Sequence, residues 1–78
     1  MVKIHLEYTS VLDVRNAENN SDVILPEGAT VTDLLSFLEI KPEHQRFVIA
    51  SVDGKKRSPG SELQDGDHVV LSLPIGGG

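Results

Sequence analysis

Apolar residues occupy every second position at the start of the chain. Val2, Ile4, Leu6 and Tyr8 alternate with Lys3, His5 and Glu7. A period of two predicts a half-buried strand over residues 2–8. Residues 9–21 are polar, with Asn16, Asn19, Asn20 and Ser21 near their end, and read as a loop. Within it, Val11, Leu12 and Val14 are placed to tuck a short turn onto the core. A second strand follows over 22–25, and Pro26, Glu27 and Gly28 break it. Thr30 then suits a helix N-cap, because its hydroxyl can accept a free backbone N–H. Asp33 falls in the first turn, where negative charge complements the helix dipole. Val31, Leu34, Leu35 and Leu38 keep helical spacing, so the helix is expected over 31–39. Pro42 ends it or begins a short second turn.

Residues 47–52 (FVIASV) are β-branched and aromatic and read as a third strand, buried on much of both faces. Asp53-Gly54 is a turn signal. Residues 56–64, with Pro59 and Gly60, look irregular, and Asp65-Gly66-Asp67 is a further turn. The last strand is expected over 68–73, with Val69, Leu71 and Leu73 on one face. The order is strand, strand, helix, strand, strand. One helix packed across a mixed sheet is an economical α+β solution for 78 residues. The expected organisation is one domain over 1–73 and a glycine-rich tail over 74–78.

Composition narrows the possible functions. With 38% apolar and 24% charged residues, the chain fits a folded globular domain. The absence of cysteine removes disulfides, a thiol nucleophile and thiolate metal ligands, and suits a reducing compartment. The first residues form neither a signal peptide nor a membrane span, so a cytoplasmic location is expected, with no membrane partner. A net charge of −5 argues against nucleic acid, which needs a basic footprint. The single basic cluster, Lys55-Lys56-Arg57, reads as a solvated turn. An acidic domain is better suited to steering onto a basic protein partner.

The tail, Pro74-Ile75-Gly76-Gly77-Gly78, directly follows a strand-like run. Glycine lacks a Cβ and lets backbone approach other groups closely, so Gly76 and Gly77 suit a narrow channel in a partner. A terminal carboxylate on Gly78 is ionised at neutral pH and is a poor electrophile. A partner that forms an acyl-adenylate from ATP would activate it. A sulfur donor could then leave a thiocarboxylate, or an amine could be acylated.

These residues resemble the MoaD/ThiS family of ubiquitin-like sulfur carriers. The matching segments are KIHLEY near the start, LPEGATVTDLLSFL at 25–38, VIASVDGK at 48–55, LQDGDHVVL at 63–71 and LPIGGG at 73–78. The resemblance implies a β-grasp fold of four to five strands, with the first and last strands parallel at the sheet centre. It implies that Gly78 is adenylated by an E1-like enzyme (MoeB- or ThiF-like) and converted to a thiocarboxylate, with ATP used by that partner and no cofactor bound here. It implies that Gly76 and Gly77 thread partner active sites. The sulfur acceptor would act with a MoaE-like large subunit, making this chain the small subunit of a molybdopterin synthase, or with a thiazole synthase. The long connection at 9–21 and Pro74-Ile75 look MoaD-like. The short KPEHQRFVIASVDG stretch and the third glycine look ThiS-like, and Asp53 stands where the family often has Asn. The molybdopterin branch is favoured over thiamine. Two alternatives are a protein modifier joined to lysines, or a tRNA-thiolation carrier. Another is a binding module without acyl chemistry.

A docking surface is expected on the sheet face opposite the helix. Val70, Pro74 and Ile75 would form an apolar patch there, rimmed by Glu62, Asp65 and Asp67. No metal site is expected, because His5, His44 and His68 are isolated in sequence. His5 and His68 become neighbours if the first and last strands pair, and then read as a surface polar pair. No serine has a nucleophile elbow, so a stand-alone enzyme is disfavoured.

Overall fold

The computed structural model describes residues 1–9 and 12–73. Five strands form one sheet: β1 (Val2–Tyr8), β2 (Ser21–Leu25), β3 (Ile49–Val52), β4 (Lys55–Arg57) and β5 (His68–Ser72). Two helices, α1 (Val31–Phe37) and α2 (Pro42–Gln45), lie between β2 and β3 in the chain. The strand order is β2-β1-β5-β3-β4. β1 and β5 run parallel at the centre, with Leu6 opposite Val69 and Tyr8 opposite Leu71. The other pairs are antiparallel. This is the mixed sheet expected from the sequence.

Strand alternation decides what the sheet buries. Val2, Ile4 and Leu6 of β1 and Val69 and Leu71 of β5 are buried, as are Val31, Leu34, Leu35 and Leu38 along α1. They form one cluster with Ala50, Val52 and Leu63, and Leu73 packs against its edge. Each fully buried aliphatic side chain contributes about 1.5–3 kcal/mol. In the loop before β2, Leu12 joins this cluster and Val14 packs on it. Val11 lies outside the described residues.

Thr30 caps α1 reciprocally. Its hydroxyl accepts from the Asp33 N–H at 3.2 Å, and its own N–H donates to the Asp33 carboxylate at 2.9 Å. Such a cap is worth about 1 kcal/mol.

Three expectations need correction. The helix stops at Phe37, not at residue 39. Glu39 takes a left-handed conformation (φ 58°). Its N–H bonds to the Ser36 carbonyl, and the Ile40 N–H bonds to that of Leu35. That pattern is a Schellman close, with glutamate where glycine is usual. The loop before β2 satisfies the remaining carbonyls: Asn16 donates to Phe37 O at 2.7 Å, and the Arg15 N–H to Leu38 O at 2.9 Å.

The third strand begins at Ile49 and is buried on one face only. Phe47 stays 52% exposed, with the Arg46 guanidinium 4.9 Å from its ring centre.

Finally, Lys55-Lys56-Arg57 is a strand. Asp53 and Gly54 both have positive φ and close a two-residue hairpin that lays Lys56 beside Ser51. Lysine-rich edges discourage pairing with other chains.

Because glutamate is strained in the left-handed region, Glu39→Gly should raise unfolding stability by about 1 kcal/mol in urea titrations. A fall in stability would show that the Asn16–Glu39 side-chain bond, 3.0 Å long, outweighs the strain.

Candidate functional site

The chain leaves the sheet from its centre. β5 is held by β1 on one side and β3 on the other, with Ser72 opposite Ile49 and the Thr9 N–H on Leu71 O at 3.1 Å. Val69 and Leu71 are fully buried, and half-buried Leu73 packs against the core just beyond the strand. Any segment following Leu73 therefore starts from a fixed base. Pro74, Ile75, Gly76, Gly77 and Gly78 lie outside the described residues.

Val70 faces away from the core, 37% exposed, between Glu7 of β1 and Ser51 of β3. The acidic residues expected around it stand elsewhere. Glu62 bridges to Thr30 at the start of α1, on the helix side of the sheet. Asp65 and Asp67 close the turn that leads into β5. Asp65 accepts from the Lys3 N–H at 2.8 Å, and Asp67 accepts from the Gln64 N–H at 2.8 Å. That turn lies at the entrance of β5, and the tail leaves from its exit. About 20 Å of strand separates the two. Glu7 and, one strand further, Lys56 beside Ser51 are the charged residues that register places in the row of Val70.

The same face carries a row of titratable groups. Parallel pairing sets His5 opposite His68, with ring centroids 5.1 Å apart and planes at 76°. The Glu7 carboxylate contacts the His68 Nε2. His5 Nδ1 lies 3.0 Å from an Asp22 carboxylate oxygen, and its Nε2 lies 2.6 Å from the Asn20 Oδ1. These bonds to Asp22 and Asn20 favour the protonated ring and raise the His5 pKa above its ordinary 6.5. The His5 bond in turn lowers the Asp22 pKa below 3.8. Reasoning from sequence found the two histidines but missed Glu7 as their third member. The signal was there: His-x-Glu on a strand puts both side chains on one face.

Among the described residues, no helix is long and apolar enough to cross a membrane.

The ThiS family model matches residues 12–78. A solved structure from Pyrococcus furiosus, assigned provisionally as molybdopterin converting factor subunit 1, is 30% identical. The match covers 96% of this chain and 100% of that one, with a TM-score of 0.68. The small archaeal modifier protein 1 of Haloferax volcanii is 18% identical, with a TM-score of 0.71 over 96% of this chain and 100% of its own. A Caldiarchaeum subterraneum ubiquitin is 16% identical, with a TM-score of 0.59 over 99% and 98%. No curated protein sequence matches. The fold is therefore a ubiquitin-like β-grasp, and the chain belongs to the ThiS family of small sulfur-carrier proteins.

The His5–Asp22 pair sets a pH window. Raised His5 adds stability that is full below pH 6.5 and is lost as pH climbs through its folded value. Lowered Asp22 adds stability that is full above pH 3.8 and is lost as pH falls through its folded value. Both contributions hold between those two limits. In chelator-treated protein, NMR titration should place the His5 midpoint above 6.5, and Asp22→Asn should lower it. A midpoint at or below 6.5 would remove the ion pair from the account.

Proposed function

We propose that the protein carries sulfur as a thiocarboxylate on Gly78, for molybdopterin synthesis in the cytoplasm. Membership of the family supports carrier chemistry. The observation that carries the branch is the likeness to the Pyrococcus furiosus chain, which extends over nearly the whole length at 30% identity. The long β1–β2 connection points the same way. The thiamine-thiazole branch is the second reading, favoured by the name of the matching family model.

The chemistry divides between two proteins. An E1-like enzyme binds the domain and ATP, and the Gly78 carboxylate attacks the α-phosphate, releasing pyrophosphate. Hydrosulfide released by a donor then attacks the acyl carbon of the adenylate, forming the C–S bond as the bond to AMP breaks and AMP leaves. The net change is sulfur in place of one carboxylate oxygen. The carrier then presents that sulfur to a MoaE-like subunit. This chain supplies the carried group and the surface that is recognised; the catalytic groups belong to its partners.

Ordering a tail of five residues costs about 1–2 kcal/mol each, or roughly 5–10 kcal/mol together. Docking of the globular body must offset this. The open sheet face around Val70 is the surface proposed for it, with Pro74 and Ile75 continuing it toward Gly76 and Gly77. Glu62 and Asp67, away from that face, contribute long-range charge to steering.

Two measurements test the proposal. Incubation with the cognate E1-like enzyme, ATP and sulfur donor should give the intact-mass gain of oxygen replaced by sulfur. Removing Gly78 should abolish it, and the product should bind and serve a MoaE-like subunit. Lysine-linked adducts instead would make the protein a modifier, and service only to a thiazole synthase would select the second branch. Separately, Val70→Asp should cost about 1 kcal/mol of stability, because aspartate disfavours strands and would stand opposite Glu7, and leave the domain folded. It should slow E1-dependent adenylation at least tenfold (about 1.4 kcal/mol). An unchanged rate would move the docking surface off this face.

A further inference from the structure

On the open face, His5, Glu7 and His68 each offer a ligand atom, and these atoms all lie within 4.8 Å of one another. Two imidazoles and a carboxylate form a donor set that zinc takes in proteins. Tetrahedral coordination at 2.0–2.1 Å sets ligands about 3.4 Å apart, so the widest pair must close by up to about 1.4 Å while the Glu7–His68 contact opens to admit the ion. Side chains on a half-buried surface can make that adjustment by small χ rotations, because their backbone positions are already fixed. His5 and Glu7 sit two residues apart on β1, and His68 is the register partner of His5 on β5.

Asp22 lies 3.0 Å from His5 Nδ1, held there by β2, where it can accept that N–H. A carboxylate on the far nitrogen is the usual outer support of a metal-bound histidine, fixing the tautomer and making the other nitrogen a better ligand. Here the other nitrogen is Nε2, which Asn20 contacts from the exposed end of the β1–β2 connection and can release. The negative charge of Glu7 favours a cation at this place on the sheet, and Asp22 is shared between His5 and the Lys3 ammonium 3.6 Å away.

We propose that His5, Glu7 and His68 form a binding site for a divalent zinc-type ion on the open face of the sheet, beside Val70, with its remaining coordination open to water. Imidazole donors select zinc, copper or nickel, whereas magnesium and calcium prefer all-oxygen sites. The site is independent of Gly78 chemistry, so it stands or falls separately from the carrier assignment.

The test uses the full chain without a polyhistidine tag, stripped with chelator and titrated with Zn²⁺ by calorimetry and ¹H–¹⁵N NMR. A single saturable site is expected, with shifts centred on His5, Glu7 and His68 and no displacement by excess Mg²⁺. His5→Asn and His68→Asn should each weaken binding at least tenfold, and Asp22→Asn by roughly tenfold, as outer-support losses do. His44→Asn, on α2, should leave it unchanged. Each variant's NMR spectrum checks that the fold is kept. Absence of saturable binding would overturn the proposal. So would full affinity in the His5→Asn/His68→Asn double variant, or shifts centred on Asp65 and Asp67.

Discussion

Everything in this domain depends on the parallel pairing of its first and last strands. β1 and β5 occupy the middle of the sheet, and their inward residues Ile4, Leu6, Val69 and Leu71 are almost wholly removed from water. The pairing joins the two ends of the chain, so its loop-closure entropy is met only when most of the core has assembled. Antiparallel β2 and the β3–β4 hairpin then complete the two sides. One consequence is that the chain leaves from a strand held on both edges. Another is that His5 meets His68. Both features of functional interest thus follow from one register.

That register explains what could be read from the sequence. Alternation in 2–8 and 68–73 located both central strands, because one face is buried and the other is not. Thr30 with Asp33 marked the helix start, and Asp53-Gly54 the tight turn, since each is a local solution to a local backbone need. The helix end was illegible: Glu39 takes the position where glycine would have signalled a stop, and the helix carbonyls are satisfied by Asn16 and Arg15 from a distant loop. β4 was missed because three charged residues look like a turn, although the two-residue turn before them required a return strand. Phe47 looked like core, but it lies on the surface against Arg46.

The candidate site divides in the same way. Val70 could be placed on the outer face from alternation alone. The acidic residues expected to rim it have local partners that alternation does not reveal. Asp65 and Asp67 are spent on backbone N–H groups at the entrance of β5, and Glu62 belongs to the start of α1. Asp67 nonetheless contributes to the site indirectly. Its carbonyl receives the His5 N–H at 2.9 Å, which extends the β1–β5 ladder by one step and fixes where His5 stands.

The outer face combines two opposed properties. It is the side of the sheet left without a helix, yet its exposed apolar residues are few and it is crossed by Lys3, His5, Glu7, Ser51, Lys56 and His68. A large apolar patch would bind partners tightly and release them slowly. A polar face distributes its contribution between steering and modest contact energy, and so supports fast exchange. For a protein that must dock with one enzyme to be charged and with another to be discharged, residence on each has to be short. On the proposed reading, the weakness of this face is therefore what lets one small domain serve successive partners, while the buried face of the same strand keeps the base of the tail fixed in each encounter.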